Sequence, residues 1–456
     1  MLIINDVTAV TMDAARRIVA HAAIAVEGER IVAVEPSAML QAQFAAAEVI
    51  EGRGMVAIPG LIDTHAHADQ SLLRGLGDTM HWIPFLDDVI DPYLRERDPS
   101  DAVAAYTLSI MEMIRSGTTC FVSPNVDPRD DLDALSALVQ KFGIRAVLAR
   151  FTSPHEGADS AASARAAVAE TTRAMQRWHG GAGGLVQLWF GLMVPRRPGD
   201  GCYPHFYEEV AVEARRLGVG ITYHFCSEIE DSHYIQNTFG VRPAEWSRDH
   251  HALGPNVLLI NGCWITPAEI RILADTGSHL AHSPVANMKM ATGTLPLPDV
   301  LSAGVNVGLG TDGALNNNTH DMFGEMKTAC LLQNAIRRSA RALKPETALE
   351  MATLGGARAI GRSHELGSLE AGKLADIVLV DLKRVHSMPV HDVVSNLVFA
   401  THPSNVDTVL IGGRAVLRGG RIDAVNELVV LADAQARAER LRAELHLRVA
   451  GTWPRS

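Results

Sequence analysis

His65 and His67 stand two residues apart in the segment DTHAHAD. Residues i and i+2 of an extended strand project from one face, so both imidazoles can reach a single ion. In a chain with 19 histidines the pair alone is a weak signal, because short motifs match by chance. Two further residues strengthen it. His224 ends the run GITYHF, and Asp312 ends the run VGLGTDG. If these runs are parallel strands of one sheet, all four groups lie at one level, just beyond the strand ends. Three neutral nitrogens and a carboxylate suit Zn²⁺ with one position left for water. Water on such an ion has its pKa drawn towards neutrality and becomes a nucleophile, and a carboxylate such as Asp312 can accept its proton. Hydrolysis is the chemistry that these residues could do.

Such a constellation needs a scaffold that brings several strand ends to one mouth. Eight apolar runs separated by Ala/Leu/Arg-rich helical stretches provide one, at 55–67, 118–125, 144–150, 185–193, 220–225, 257–263, 278–284 and 305–313. That alternation predicts a (β/α)8 TIM barrel, an α/β fold whose reactive groups sit beyond the C-terminal strand ends. A doubly wound open sheet is the rival, but no GxGxxG opens a helix after a strand. The ends of the chain read differently. From Leu2 to about Val56, and again after about His364, short apolar stretches alternate with Gly, Asp and Asn turns, as in β-hairpins. The expected domains are therefore a small β-sandwich from 1–56 and 364–425, a barrel over 57–363, and a helical segment over 426–456.

The 456 residues carry 41 Lys+Arg against 52 Asp+Glu, a net charge of −11 that disfavours a broad basic footprint for nucleic acid or an anionic membrane. A small molecule is the expected partner. Hydrophobic residues at 47% leave room for a large core and little for disorder. The five cysteines, Cys120, Cys202, Cys226, Cys263 and Cys330, form no CxxC pair and no dense framework, which points to a reducing compartment. With no apolar leader at the N-terminus, the reading is a cytoplasmic protein.

In its motifs the chain resembles the amidohydrolase superfamily, in particular the mononuclear branch of triazine chlorohydrolases and of melamine, guanine and adenosine-derivative deaminases. The carriers are GMVAIPGLIDTHAHADQSLLRGLGD, RSGTTCFV, HSPVANMKMATG, GLGTDGALNNNTHDMFGEMKTACLLQ, MATLGGARAIG and GSLEAGKLADIVLVDL. The resemblance implies the barrel-plus-sandwich fold and makes His65, His67, His224 and Asp312 ligands of one divalent metal, Zn²⁺ first, with Fe²⁺ or Mn²⁺ as alternatives. The strand-four run LVQLWFGLM lacks the lysine that bridges two metals in binuclear relatives. Homo-oligomers are common among relatives, and one is expected here.

Two departures stand out. The family usually carries a glutamate three residues after the strand-five histidine, where this chain has Ser227, with Glu228 one residue further on. Glu228 can serve as the proton shuttle only if a local bulge turns it inward, since one extra residue reverses side-chain direction. The usual strand-six histidine is also absent, the segment being Asn261-Gly262-Cys263-Trp264. Ser227 and Asn261 are the polar groups at hand, with Cys226 and Cys263, although packing is the simpler role for each thiol. Gln70, Trp82 and Tyr203 could line the substrate pocket, the two aromatics gripping a flat ring or merely packing. The resemblance favours substrate-facing positions for His282 and Asn287. The expected function is hydrolytic replacement of an amino, alkylamino or chloro substituent on a small nitrogen heterocycle. A metal-dependent lyase or decarboxylase, or a ligand-binding protein without turnover, is the alternative.

Overall fold

Met55–Pro59 and Leu61–Asp63 are one apolar run in the sequence, yet in the computed structural model Gly60 divides them between two sheets. A Cβ on Gly60 would lie 2.1 Å from Thr119 Oγ1, so the close approach to the neighbouring strand requires glycine. The strand expected over 55–67 is therefore shortened. Its first part pairs antiparallel with Ile377–Asp381 and parallel with Leu2–Val10, and only Leu61–Asp63 enters the barrel. The structure describes residues 1–43, 48–154, 160–193, 195 and 203–447.

The barrel strands are β1 (Leu61–Asp63), β2 (Thr118–Val126), β3 (Arg145–Phe151), β4 (Val186–Leu192), β5 (Ile221–Phe225), β6 (Val257–Asn261), β7 (His279–His282) and β8 (Val307–Leu309). They pair in sequence order and in parallel. Thr64 draws β1 to β8, donating to the Leu309 carbonyl from both its N and its Oγ1 at 2.8 Å. The expected (β/α)8 barrel is present. Its strands are buried along almost their whole length, as parallel strands covered by helices must be.

Both ends of the chain share one mixed eight-stranded sheet. Its own core holds Ile4, Val7, Ile24, Ala57, Ile377, Leu379 and Leu410. Arg145 of β3 fixes the barrel to this sheet through a buried two-pronged pair with Asp376, at 2.8 and 3.0 Å. Within the expected helical segment 426–456, Glu427–Glu444 is a helix and 448–456 lie outside the described residues.

One further element positions the site. Between β1 and β2 the chain forms a helical turn Trp82–Phe85, a wide π turn Leu86–Ile90 and a helix Asp91–Glu96. Phe85, Val89, Ile90 and Tyr93 pack on Leu72, Leu73 and Leu76 and on Ala434 and Leu441 of the C-terminal helix. That helix is clamped in turn by Arg437 and Arg440, which reach the buried Asp101 at 2.8 and 2.7 Å. Among the described residues no helix is long and apolar enough to cross a membrane.

Candidate active site

The segments after β1 and β8 are laced together by main-chain hydrogen bonds. Asp312 N donates to the His65 carbonyl at 2.8 Å, and His67 N donates to the Asp312 carbonyl at 3.3 Å. This lacing brings the side chains of two distant segments to one point. Asp312 Oδ1 lies 3.3 Å from His65 Nε2 and 3.7 Å from His67 Nε2. His224, from β5, completes the group: ligand atoms of His65, His67 and His224 all lie within 4.8 Å of one another. The four residues that the spacing singled out do converge.

The donor set fits a divalent ion. Among the described residues neither ring nitrogen of fully buried His65 has a hydrogen-bond partner, a costly arrangement unless something else satisfies them. Burial, helped by His65, lowers His67 to about 4, so its imidazole is neutral and able to ligate. Burial opposes ionisation of Asp312, but the imidazoles of His65, His67 and His224 outweigh it and hold the carboxyl below its ordinary range. Neutral nitrogens around an anionic oxygen are what Zn²⁺ and similar ions take.

A second layer holds these ligands. Asp63 Oδ1 accepts from Thr311 N at 3.0 Å and from His65 N at 3.2 Å, and its Oδ2 accepts from Thr311 Oγ1 at 2.6 Å. The His320 ring bridges Thr311 Oγ1 and Ser109 Oγ, at 2.9 and 3.1 Å. Asn317 donates to the Thr311 carbonyl and to Glu325 Oε1, each at 2.6 Å. Burial pushes the Glu325 carboxyl well above its usual value, so this link is between neutral groups. Non-glycine residues adopt positive φ just beyond or within the strand ends: Asn125 at 55°, Cys226 at 47°, Asn261 at 78° and Asp312 at 61°. Strained backbone of this kind clusters where a site dictates the geometry.

A cavity opens over the cluster, concave and partly apolar as small-molecule sites are. Trp82, Phe85, Leu86, Ile90 and Leu94 form an apolar wall, with Trp82 stacked on Phe85 and its ring 6.4 Å from that of His224. The polar side carries His67, Asp69, Gln70, Asp91, Asn125, His224, Asp231, Asp312 and Asn316. Gln70 and Trp82 both line the cavity. Gln70 Oε1 is buried without a partner, and Gly313 makes space for it.

The other expected site residues are not part of that lining. Tyr203 caps the N-terminus of the helix Pro204–Leu217 and is not among the described lining residues. Asn261 donates to Ser227 Oγ at 2.9 Å, while Asn287 donates to Asn261 Oδ1 at 3.0 Å and to Thr292 Oγ1 at 3.2 Å. These groups satisfy one another and brace the ends of β5 and β6. His282 is fully buried at the end of β7, neither ring nitrogen has a hydrogen-bond partner among the described residues, and burial lowers it to about 3. Glu228 faces a neighbouring pocket, which Trp82, Leu86 and Asp231 separate from the main one by lining both. Burial, then Glu230 and Asp231, push the Glu228 carboxyl up to about 8. The buried thiols stay protonated: burial raises Cys120, Cys263 and Cys330 to about 12 and also raises Cys226 well above its ordinary value. Cys202 lies outside the described residues.

Sequence reasoning missed Asp69, Asp91, Asn125, Asp231 and Asn316. Asp69 and Asn316 sit inside the motifs DTHAHAD and GALNNN, so proximity to the ligands was the available signal. Asp231 lies in a helix whose register towards the cavity no local pattern reveals.

Comparison with known proteins adds four findings. Residues 56–416 match the model of the amidohydrolase family. A 5-methylthioadenosine/S-adenosylhomocysteine deaminase of Desulforudis audaxviator is 35% identical over 421 residues, 92% of this chain and 94% of the relative. Among solved structures, a zinc-bound adenosine deaminase of Xanthomonas campestris superposes with a TM-score of 0.90 at 29% identity, covering 97% of this chain and 98% of its own. Atrazine chlorohydrolase of Arthrobacter aurescens shares the fold, with a TM-score of 0.86 at 24% identity and coverage of 96% and 100%.

Proposed function

The chain belongs to the amidohydrolase family, and from that premise we propose that it is a metal-dependent deaminase of an adenosine derivative or a closely similar amino-substituted heterocycle. The observation that carries the reading is the convergence of His65, His67, His224 and Asp312 at the floor of a cavity with one flat apolar wall. These four residues would hold a divalent ion, Zn²⁺ by the closest fit to the donor set, and when bound it would supply the activation of water as a nucleophile near neutral pH.

The chain's own residues do the rest. Trp82 and its apolar neighbours exclude water and hold the ring flat against the polar side. Gln70 and Asn316 orient it through amide groups that reach both donors and acceptors. Asp312, ionised at neutral pH, accepts the proton of the attacking water. The ring carbon gains a C–O bond and loses its C–N bond, and the departing amine takes up a proton to leave as ammonia. Asp231 is our candidate for delivering that proton, as the carboxylate of the β5 loop that lines the same cavity as Asp312 and His224. Glu228, shielded behind Trp82 and Leu86, supports it from the side pocket. The names of the similar deaminases support the adenosine-type substrate. A cytoplasmic location and a homo-oligomeric state complete the proposal, the first in keeping with four buried free thiols, the second with the family resemblance.

Mass-spectrometric detection of products tests it, using amino-, chloro- and oxo-substituted purines, their nucleosides, pterins, pyrimidines and triazines with metal-loaded and chelated enzyme side by side. Metal-dependent exchange of a purine amino group for hydroxyl is the expected result. Exchange of a chloro group alone would make the enzyme a chlorohydrolase. No turnover with metal bound would overturn the hydrolase reading.

A further inference from the structure

We propose that Asp69 is a specificity-determining residue of this cavity: its carboxylate accepts a hydrogen bond from a donor group of the substrate and keeps anionic groups out of its end of the site. The inference rests on the adenosine-type reading above, for which that donor is a sugar hydroxyl. Asp69 follows His67 by two residues, in the short 3-10 turn Ala68–Leu73, and lines the cavity beside Gln70. Only 8% of the residue is exposed.

A buried carboxylate is ordinarily saturated with donors. Asp69 is not. Arg97 would be its natural partner, but both terminal nitrogens of Arg97 are given to Asp130, at 2.6 and 3.1 Å. Arg97 Nη2 stands 3.8 Å from Asp69 Oδ2, close enough to offset part of the cost of burying the charge and too far for a hydrogen bond. Beyond the residue's own amide, no hydrogen bond from a described residue reaches the carboxylate. The main chain of Asp69 is nevertheless fixed, because Tyr93 Oη donates to its carbonyl at 2.5 Å while the Tyr93 ring lies 5.6 Å from the Arg97 guanidinium. One guanidinium therefore serves two buried carboxylates, and the one left short of donors is the one that faces the cavity. Asp130 alone suffices to anchor Arg97, so anchoring does not explain Asp69. A substrate hydroxyl supplies the missing donor, whereas a phosphate or carboxylate there would meet a fixed like charge.

The test measures turnover and calorimetric binding of adenosine, 2′,3′-dideoxyadenosine and adenosine 5′-monophosphate. The proteins are metal-loaded wild type, Asp69→Asn and Asp69→Leu, matched for metal content by elemental analysis. Wild type is expected to favour adenosine over the dideoxy compound by roughly 10- to 100-fold in kcat/KM, the worth of one hydrogen bond to a charged group. Asp69→Leu should erase that preference. Asp69→Asn, close in size and still an acceptor, should keep part of it while binding the monophosphate roughly 10-fold better than wild type does, since only the charge is gone. Unchanged ratios among the three ligands in both variants, with adenosine still turned over, would overturn the role of Asp69 and leave the deaminase reading intact. Failure of wild type to bind or turn over any of the three would overturn both.

Discussion

The main-chain N–H of Glu228 donates to Asp231 Oδ2 at 3.2 Å, so one turn of chain sets two carboxylic residues side by side: both line the side pocket, and of the two Asp231 alone also lines the main cavity. Cys226 is the pivot. Its φ of 47° turns the chain after β5, buries Ser227 against Asn261, and leaves Glu228 to start the helix Ile229–Phe239. The residue one place beyond the family's usual glutamate thus ends up behind Trp82 and Leu86, and the helix it starts carries Asp231 to the cavity.

Proton handling should follow that division. Asp231→Asn is expected to lower kcat by about 100-fold or more, the usual worth of a positioned acid or base, and Glu228→Gln by less than about 10-fold. Steady-state kinetics on the best substrate of the panel checks both. The opposite ranking would mean that Glu228 reaches the substrate after all.

Glu228 should also leave a mark on stability. Its folded-state pKa of about 8 lies above the ordinary 4.5, so the folded state holds a proton that the unfolded chain gives up. For a raised pKa the contribution is fully present below about 4.5 and is lost as pH rises through about 8. Wild-type Tm should therefore fall across that window, and Glu228→Gln, which stays neutral throughout, should fall less. Equal slopes from scanning calorimetry at several pH values would show that the carboxyl ionises freely in the folded protein.

What the sequence made legible was whatever local pattern and short spacing control. Parallel strands covered on both faces are continuous apolar runs, so eight could be counted, and the ends of β1, β5 and β8 supplied His65, His67, His224 and Asp312. The split at Gly60 was hidden because it depends on Thr119, a residue of the neighbouring strand. Asn261 and Asn287 looked like substrate contacts, yet they bond to each other across 26 residues, a pairing that spacing cannot reveal. Trp82 was identifiable as an aromatic near the mouth, but its place in the wall depends on the packing of Phe85 and Ile90 against the C-terminal helix, more than 340 residues away.

Removal of the metal should act on the four ligands together. Chelation is expected to abolish turnover and to lower Tm, because an ion bound only by the folded state stabilises it by mass action. Re-addition of Zn²⁺ should restore both. Asp312→Asn removes the one anionic ligand and the proton acceptor, so elemental analysis should find metal content well below one ion per chain, with kcat down at least about 1000-fold. Full occupancy in Asp312→Asn would show that the three histidines alone suffice to hold the ion.

Two glycines in the segment after β8 should separate architecture from recognition. A Cβ on Gly310 would fall 2.7 Å from His65 Cβ and 2.9 Å from its main chain, and neither can retreat without moving a metal ligand. Gly310→Ala is therefore expected to lose metal and to destabilise the barrel by roughly 1–3 kcal/mol, the usual penalty of overpacking. A Cβ on Gly313 would instead meet Gln70 Oε1 at 2.5 Å, the far end of a side chain that can swing away. Gly313→Ala should keep its metal and most of its Tm and show its defect as a raised KM, because Gln70 no longer reaches the ring. Metal analysis, Tm and kinetics on the two variants decide the matter, and a raised KM without metal loss in Gly310→Ala would contradict the close packing of His65 on β8.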